Sequence, residues 1–290
     1  MIEVDLDEVG AVALKLEMFN PIGSFKGRGA SWFVANLSPD VRRVVCASAG
    51  NFGQGIAHAA RRAGLEAVVY TSTRANPLKV ARIERLGATV IAIGDDFDDA
   101  KAAGIAQAAI DRDTFVEDGR DPFVTEGAGT IAAELLEQRP DLTGVAVPVG
   151  NGALVNGIGL WMRAHAPHVR VVGVCASGAP AMFTSWRLGE AVHTPTADTA
   201  ADGIAVRVAV PEAVELLATT VDDMVLVSEH DILQAVRSLA LDHGVLAEPA
   251  GAAGFAAITA RLVDLGEHPA TIICGSNVDP ALLAEVMVHR

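Results

Sequence analysis

Aromatic residues are scarce in this sequence: one Tyr, three Trp and nine Phe make up 4% of its 290 residues. Just over half of the chain (51%) is nonetheless apolar, with abundant Ala, Val and Gly. A core of that kind is built from small and β-branched side chains, which suits helices packed closely on buried sheets and excludes a disordered or fibrous chain. Positive charge is short as well. Lys and Arg number 22 against 36 Asp and Glu, a formal net charge of −14, and no basic stripe is clustered along the chain. That balance excludes nucleic acid as an expected partner. Cysteine is limited to Cys46, Cys175 and Cys274, odd in number, far apart and never in CxxC spacing. Neither a disulfide framework nor a zinc site fits, whereas a reducing cytoplasm does. The opening residues, MIEVDLDEVG, lack the basic-then-apolar order of a signal peptide. Long hydrophobic runs are also missing. The uncharged stretch from Leu142 to Met162 is broken by Pro148, Asn151, Asn156 and several glycines, so it reads as strand, loop and helix rather than a membrane span.

What is present alternates. The run at 42–48 reads as a buried strand, a glycine loop "AGNFGQG" follows, and then a helix closed by Gly64. Strands at 66–72, 88–94 and around 114–118 alternate with helices at 76–87 and 96–110. A second run begins after the turn at 119–123: helix, strand 144–149, loop, helix, and strand 170–176. Segment 177–210, rich in Gly, Pro and Thr, reads as irregular. A strand at 223–228, helices at 229–244 and 249–266, and a strand at 270–275 close the pattern. Alternation of this kind predicts an α/β fold of two lobes with mostly parallel, twisted sheets flanked by helices. At 290 residues there is room for one large or two modest domains.

Three segments run from an apolar strand straight into small polar residues: "VVCASAGNFGQG", "VAVPVGNGAL" and "IICGSNVD". Ligands of open α/β sheets bind beyond the carboxyl ends of strands, so these loops are the candidate site. The loop Gly150-Asn151-Gly152-Ala153-Leu154 leaves backbone N–H groups uncovered at a helix start, where a phosphate fits, although a tight ligand-free turn fits as well. Lys26 lies in "NPIGSFKGRG", two residues after Ser24, in the first turn of an expected helix and hemmed in by glycines. A surface lysine near a turn fits this position as well, while the glycine frame suits a Schiff-base lysine, whose amine must meet another molecule at a fixed angle. Asp95, Asp96, Asp98 and Asp99 read as a charged helix start rather than a cation site. Glu248, ahead of Pro-Ala-Gly, either faces a ligand or caps the helix that follows.

A lysine of that kind together with a phosphate cradle suggests pyridoxal 5′-phosphate. The segments "LKLEMFNPIGSFKGRGA" (14–30), "SAGNFGQG" (48–55), "VPVGNGALVNGIG" (147–159), "ADGIAV" (201–206), "EPAGAAG" (248–254) and "CGSNVD" (274–279) resemble, in order, the threonine/serine dehydratase family of fold-type II pyridoxal-phosphate enzymes. The resemblance implies a large cofactor-binding domain from 1–42 and 121–290 and a small substrate-binding domain at 43–120. It makes Lys26 the lysine that binds the cofactor and moves the Cα proton, and Asn51 the partner of the cofactor's 3′-oxygen. Gly150, Asn151, Gly152, Ala153 and Leu154 match the phosphate loop, and Cys274 stands where the family sets a Ser or Cys against the pyridine nitrogen. Ser48, Ala49, Gly50 and Asn51 match the grip on the substrate carboxylate. The implied reaction is dehydration and deamination of L-threonine or L-serine to a 2-oxo acid and ammonia, in a cytoplasmic homodimer.

Some positions depart from the family. Ala49 stands where serine racemases carry a second acid/base serine, which favours elimination over racemisation. Cys175 and Ala181 fall where metal-dependent relatives supply carboxylates, so no metal is expected. Phe52 replaces a histidine common after the asparagine. β-Replacement of the cysteine-synthase kind, an amino-acid racemase, or a binding protein for pyridoxal phosphate or an amino acid without turnover stay open as alternatives.

Overall fold

The computed structural model describes residues 1–7 and 9–288. The chain opens with strands β1 (Ile2–Leu6) and β2 (Gly10–Leu16), then helix α1 (Lys26–Ala35). Next come β3 (Arg43–Ala47), α2 (Asn51–Ala63), β4 (Glu66–Thr71), α3 (Pro77–Arg85), β5 (Thr89–Ala92), α4 (Phe97–Asp111) and β6 (Thr114–Phe115). After α5 (Pro122–Gln138) follow β7 (Gly144–Pro148), α6 (Ala153–His165), β8 (Arg170–Ala176), α7 (Ala181–Leu188) and α8 (Pro211–Thr220). The last elements are β9 (Asp223–Val227), α9 (Glu229–Leu241), α10 (Pro249–Thr259), β10 (Pro269–Ile273) and α11 (Pro280–Val288). The chain divides into two units, Met1–Phe25 with Ala128–Arg290, and Lys26–Gly127.

In the first unit a six-stranded sheet of described residues runs β1-β2-β10-β7-β8-β9. Only β1 is antiparallel, folded back on β2 with Val4 opposite Val12. The other pairings are parallel. The central strands GVAVP and PATII are buried along their whole length, as strands covered by helices on both faces must be. Helix α6 crosses this unit beside α8, and the polar group there is hydrogen-bonded through both its nitrogen and its oxygen. Asn156, 0% exposed, donates to the Ala213 carbonyl at 3.0 Å and accepts from the Thr220 hydroxyl at 2.7 Å. Asn156→Ala removes both bonds and is expected to cost about 2 kcal/mol, read as a lower urea midpoint at unchanged m. An unshifted midpoint would show that the network contributes nothing.

The second unit holds a four-stranded parallel sheet, β5-β4-β3-β6. Its helices start on side-chain caps where the sequence offers them. Asn76 accepts from the Leu78 amide at the start of α3, with Pro77 in the first turn. Asp96 accepts from the Asp99 amide at the start of α4, so the acidic cluster at 95–99 is the charged helix start that its spacing predicts.

Several stretches differ from the sequence pattern: β1, β2, α8 and α11 stand where the pattern shows no element, α10 ends at Thr259 rather than 266, and two further stretches differ in kind. Helix α2 begins at Asn51, inside what reads as a glycine loop. The glycines there serve close approach rather than turning: a Cβ on Gly55 would lie 2.9 Å from the Lys26 carbonyl oxygen. Segment 177–210 contains helix α7 and a 3-10 turn at Asp202–Ile204. Helix α7 is short, and Thr184 and Ser185 blur its apolar period; only Ala181, Met182 and Ser185 are buried.

Candidate active site

In the second unit, α1 and α2 pack together at the Gly55–Lys26 approach, and Lys26 is the first residue of α1. The loop Ser48-Ala49-Gly50 leaves the carboxyl end of β3 and enters α2 at Asn51. The Ser48 hydroxyl accepts from the Gly50 amide at 3.2 Å, which tightens the turn. Gly50 is the N-cap and supplies no side-chain hydrogen bond to the helix start, and a Cβ built on it meets nothing within 4 Å. A helix start that no side chain caps, next to open space, has the form of an anion site.

The Lys26 amine is held from a direction the sequence did not suggest. Its Nζ is 2.5 Å from Asp118 Oδ2, with the two side chains only 13% and 11% exposed. Asp118 follows β6, the neighbour of β3, and the Val116 amide donates to the Val45 carbonyl at 2.8 Å. Hence Asp118 and the 48–51 loop leave the same edge of the sheet. The Phe52 ring, buried on α2, lies 5.9 Å from Lys26 Nζ. Burial first, and the charge of Asp118 second, push the Cys46 thiol far up, so this cysteine is an inert part of the core.

In the first unit, β7 and β10 are parallel neighbours, so the loop after β7 and Cys274 after β10 also leave one sheet edge. The loop Gly150-Asn151-Gly152 runs into α6 at Ala153 and Leu154. Gly152 takes φ +96°, a conformation closed to most side chains, and α6 carries no side-chain cap. A Cβ on Gly150 would lie 2.7 Å from the Gly203 carbonyl oxygen, next to the 3-10 turn. This is a narrow cradle of backbone amides. Beside it the Cys274 thiol donates to the Ala250 carbonyl at 3.6 Å. The chain enters this corner before Lys26: the Phe25 amide donates to the Cys274 carbonyl at 2.9 Å, and Ser24 bridges Gly275. Glu248 occupies the N-cap position of α10 without capping it through its side chain. It is buried, and its amide donates to the Gly275 carbonyl at 3.0 Å.

Lys26, Ser48, Ala49, Gly50 and Asn51 thus gather in one unit, and Gly150 through Leu154 with Cys274 gather in the other. Asp118 is the site residue that sequence reasoning missed. In "TFVEDGRD" it looks like a charged strand end, but its place beyond the carboxyl end of a parallel strand is a signal that could have found it. Burial pushes the Cys175 thiol up to about 12, and its sulfur points to the Val149 carbonyl. Among the described residues, no group of three or more His, Cys, Asp or Glu is placed to hold a metal ion. Also among them, no helix is long and apolar enough to cross a membrane.

A family model described as pyridoxal-phosphate dependent enzyme matches residues 4–275. The L-threonine ammonia-lyase of Thermotoga maritima is 38% identical over 280 residues, covering 96% of this chain and 70% of that protein. Among solved structures, the processed form of threonine deaminase isoform 2 from Solanum lycopersicum is similar with a TM-score of 0.88 at 31% identity, over 94% of this chain and 81% of that one. Maize serine racemase is similar with a TM-score of 0.88 at 26% identity, over 94% and 85% of the two chains.

Proposed function

We propose, from the premise that the chain belongs to the pyridoxal-phosphate dependent enzymes, that it is an ammonia-lyase converting L-threonine or L-serine to a 2-oxo acid and ammonia. The observation that carries this reading is Lys26, a largely buried lysine at the start of α1 whose amine is held by Asp118. Relatives named for threonine ammonia-lyase and threonine deaminase support the substrate class.

The residues present fit the cofactor. Gly150 to Leu154 would hold the phosphate through backbone amides at the start of α6, where side chains would leave no room. Asn51 would donate to the 3′-oxygen. Cys274 would face the pyridine nitrogen with its thiol, a weaker partner for a protonated ring nitrogen than a carboxylate would be. Bound there, pyridoxal phosphate supplies an electron sink that acidifies the Cα hydrogen of an amino acid joined to it. The chain's own groups do the rest. The start of α2, with Ser48, Ala49, Gly50 and Asn51, binds and orients the substrate carboxylate. Lys26 Nζ takes the Cα proton and returns a proton to the departing β-hydroxyl, which leaves as water. Lys26, retaking its place on the cofactor, would free the enamine, which takes up water in solution to give the 2-oxo acid and ammonia. Ala49 offers no proton on the opposite face, so the substrate is not inverted.

On this reading the large cofactor-binding domain is 1–42 with 121–290 and the small substrate-binding domain is 43–120, so α1 with Lys26 packs in the second unit but belongs by role to the cofactor-binding domain. A cytoplasmic homodimer belongs to the same proposal; the three free buried cysteines suit a reducing compartment. A monomeric mass by light scattering would overturn the dimer. The enzyme itself is tested by 2-oxo acid release from cofactor-loaded protein with L-threonine, L-serine, D-serine and 3-hydroxyaspartate. Product from L-threonine or L-serine is expected. Cofactor bound with no product from any of the four would overturn the lyase, and D-serine formed from L-serine would point to a racemase.

A further inference from the structure

The carboxylate that holds Lys26 is only half used. Asp118 Oδ2 makes the ion pair with Lys26 Nζ at 2.5 Å, whereas Asp118 Oδ1 is buried and has no hydrogen-bond partner. The acidic neighbour Glu117 is accounted for elsewhere, since Lys101 lies 2.9 Å and Arg120 3.6 Å from it. A buried carboxylate is costly unless it is paired, and a buried oxygen without a donor adds to that cost. In the lyase reading Lys26 Nζ takes the Cα proton as a neutral amine, and in that form it no longer serves Asp118 as an ammonium. The carboxylate then becomes a buried anion in search of a donor.

What can supply that donor follows from reach. This inference rests on the lyase reading above, in which Lys26 Nζ moves the Cα proton. An amine that exchanges a proton with a carbon approaches it to about 3 Å, so an oxygen now in contact with that amine lies within roughly 6 Å of the reacting carbon. A substituent on Cβ is two bonds from that carbon, so one that lies on the side of the Lys26 amine comes within reach of Asp118. We propose that Asp118 is a specificity-determining residue that reads the charge of the substrate's Cβ substituent. It accepts a hydrogen bond from a hydroxyl or an ammonium and repels a carboxylate. Two buried carboxylates at such a distance repel strongly, because little water screens them. The substrate class is therefore narrowed to amino acids with a neutral or cationic donor on Cβ, and acidic hydroxy-amino acids such as 3-hydroxyaspartate are excluded.

The test is a binding competition on the loaded enzyme, wild type against Asp118→Asn, which keeps the shape and removes the charge. Pyridoxal phosphate uptake is measured first by its absorbance. Equilibrium dissociation constants are then taken spectroscopically for L-aspartate and L-2,3-diaminopropionate, and kcat/KM for L-threonine and L-threo-3-hydroxyaspartate. In wild type the diamino acid is expected to bind at least 30-fold more tightly than aspartate. In Asp118→Asn that ratio should fall by tenfold or more, and the threonine-to-hydroxyaspartate ratio of kcat/KM should fall with it. A ratio unchanged within threefold, whatever happens to cofactor affinity, would reduce Asp118 to a structural partner of Lys26 and overturn the assignment. Should Asp118→Asn fail to fold, Asp118→Ser provides the same comparison. Wild-type protein that takes up no cofactor would overturn the lyase reading and this inference with it, whereas normal turnover of threonine with unchanged ratios would overturn this inference alone.

Discussion

Lys26→Ala is expected to lower 2-oxo acid production by roughly ten-thousandfold or more while the protein still folds. On the proposed mechanism the lysine holds the cofactor, takes the Cα proton and returns a proton to the leaving group, so its loss removes three functions at once. Alanine is at home in the first turn of a helix, so α1 survives the change. What does not survive unharmed is Asp118. Without the lysine its buried carboxylate loses the cation that it touches, and breaking a buried pair in this way costs about 3 kcal/mol. The variant should therefore be inactive and measurably less stable, yet unfold in one cooperative transition.

Those two losses can be separated. Adding Asp118→Asn to Lys26→Ala removes the stranded charge and should restore most of the stability without restoring any activity. Borohydride treatment of the loaded wild type should fix the cofactor on Lys26, and the variant should carry no such mark. Activity within tenfold of wild type in Lys26→Ala would end the proposed mechanism. Loss of activity together with loss of cooperative unfolding would be uninformative for Lys26→Ala alone, which is why the double variant matters.

Much of this architecture could be read from the residues because the central parallel strands are buried on both faces. The runs around 43–47, 144–148, 170–176 and 269–273 carry little but Val, Ile, Ala and Gly, a pattern that helices with a polar face do not show. Helix starts were legible where a cap is a side chain, as at Asn76 and Asp96. They were illegible where glycine does the work. The start of α2 reads as a loop because Gly53 and Gly55 lower helix propensity, and only the packing of α2 on α1 explains why glycine is wanted there. Helix α7 escaped for a different reason, since eight residues with three buried positions leave too short a period to detect.

The candidate site divides in the same way. Lys26 and the two glycine loops stand out locally, as small residues in dense clusters with a lysine among them. Asp118 is invisible locally, because its significance lies in a contact across 92 positions of sequence. No window of sequence joins "SFKGRG" to "VEDGRD"; the pairing of β6 with β3 does. Glu248 falls between the two cases. Its motif marks the start of α10, which the structure bears out, but the side chain does not make the capping bond that the position suggests.

Gly152→Ala is expected to be strongly destabilising in the first unit. Two costs add at this position. The residue sits at φ +96°, where an L side chain is strained by about 1 to 2 kcal/mol. The new Cβ would also lie 2.9 Å from the Ala213 Cβ and 3.2 Å from Asn156 Nδ2, so it presses on α8 and on the amide that bonds the Ala213 carbonyl. Overpacking of that kind typically costs about 1 to 3 kcal/mol. Gly64 provides the control, since it has φ +72° at the end of α2 but a Cβ there meets nothing within 4 Å. Gly64→Ala should show the backbone cost alone, about 1 kcal/mol, with cofactor affinity unchanged. Gly152→Ala should lose about 3 kcal/mol in urea unfolding and bind pyridoxal phosphate at least roughly tenfold more weakly, because the amides that lead into α6 can no longer hold their direction. Equal losses of stability in the two variants would mean that α8 yields to the methyl. Cofactor affinity in Gly152→Ala equal to wild type would remove the Gly150–Leu154 loop from the phosphate site, since no shift of α8 can relax the strain at that φ.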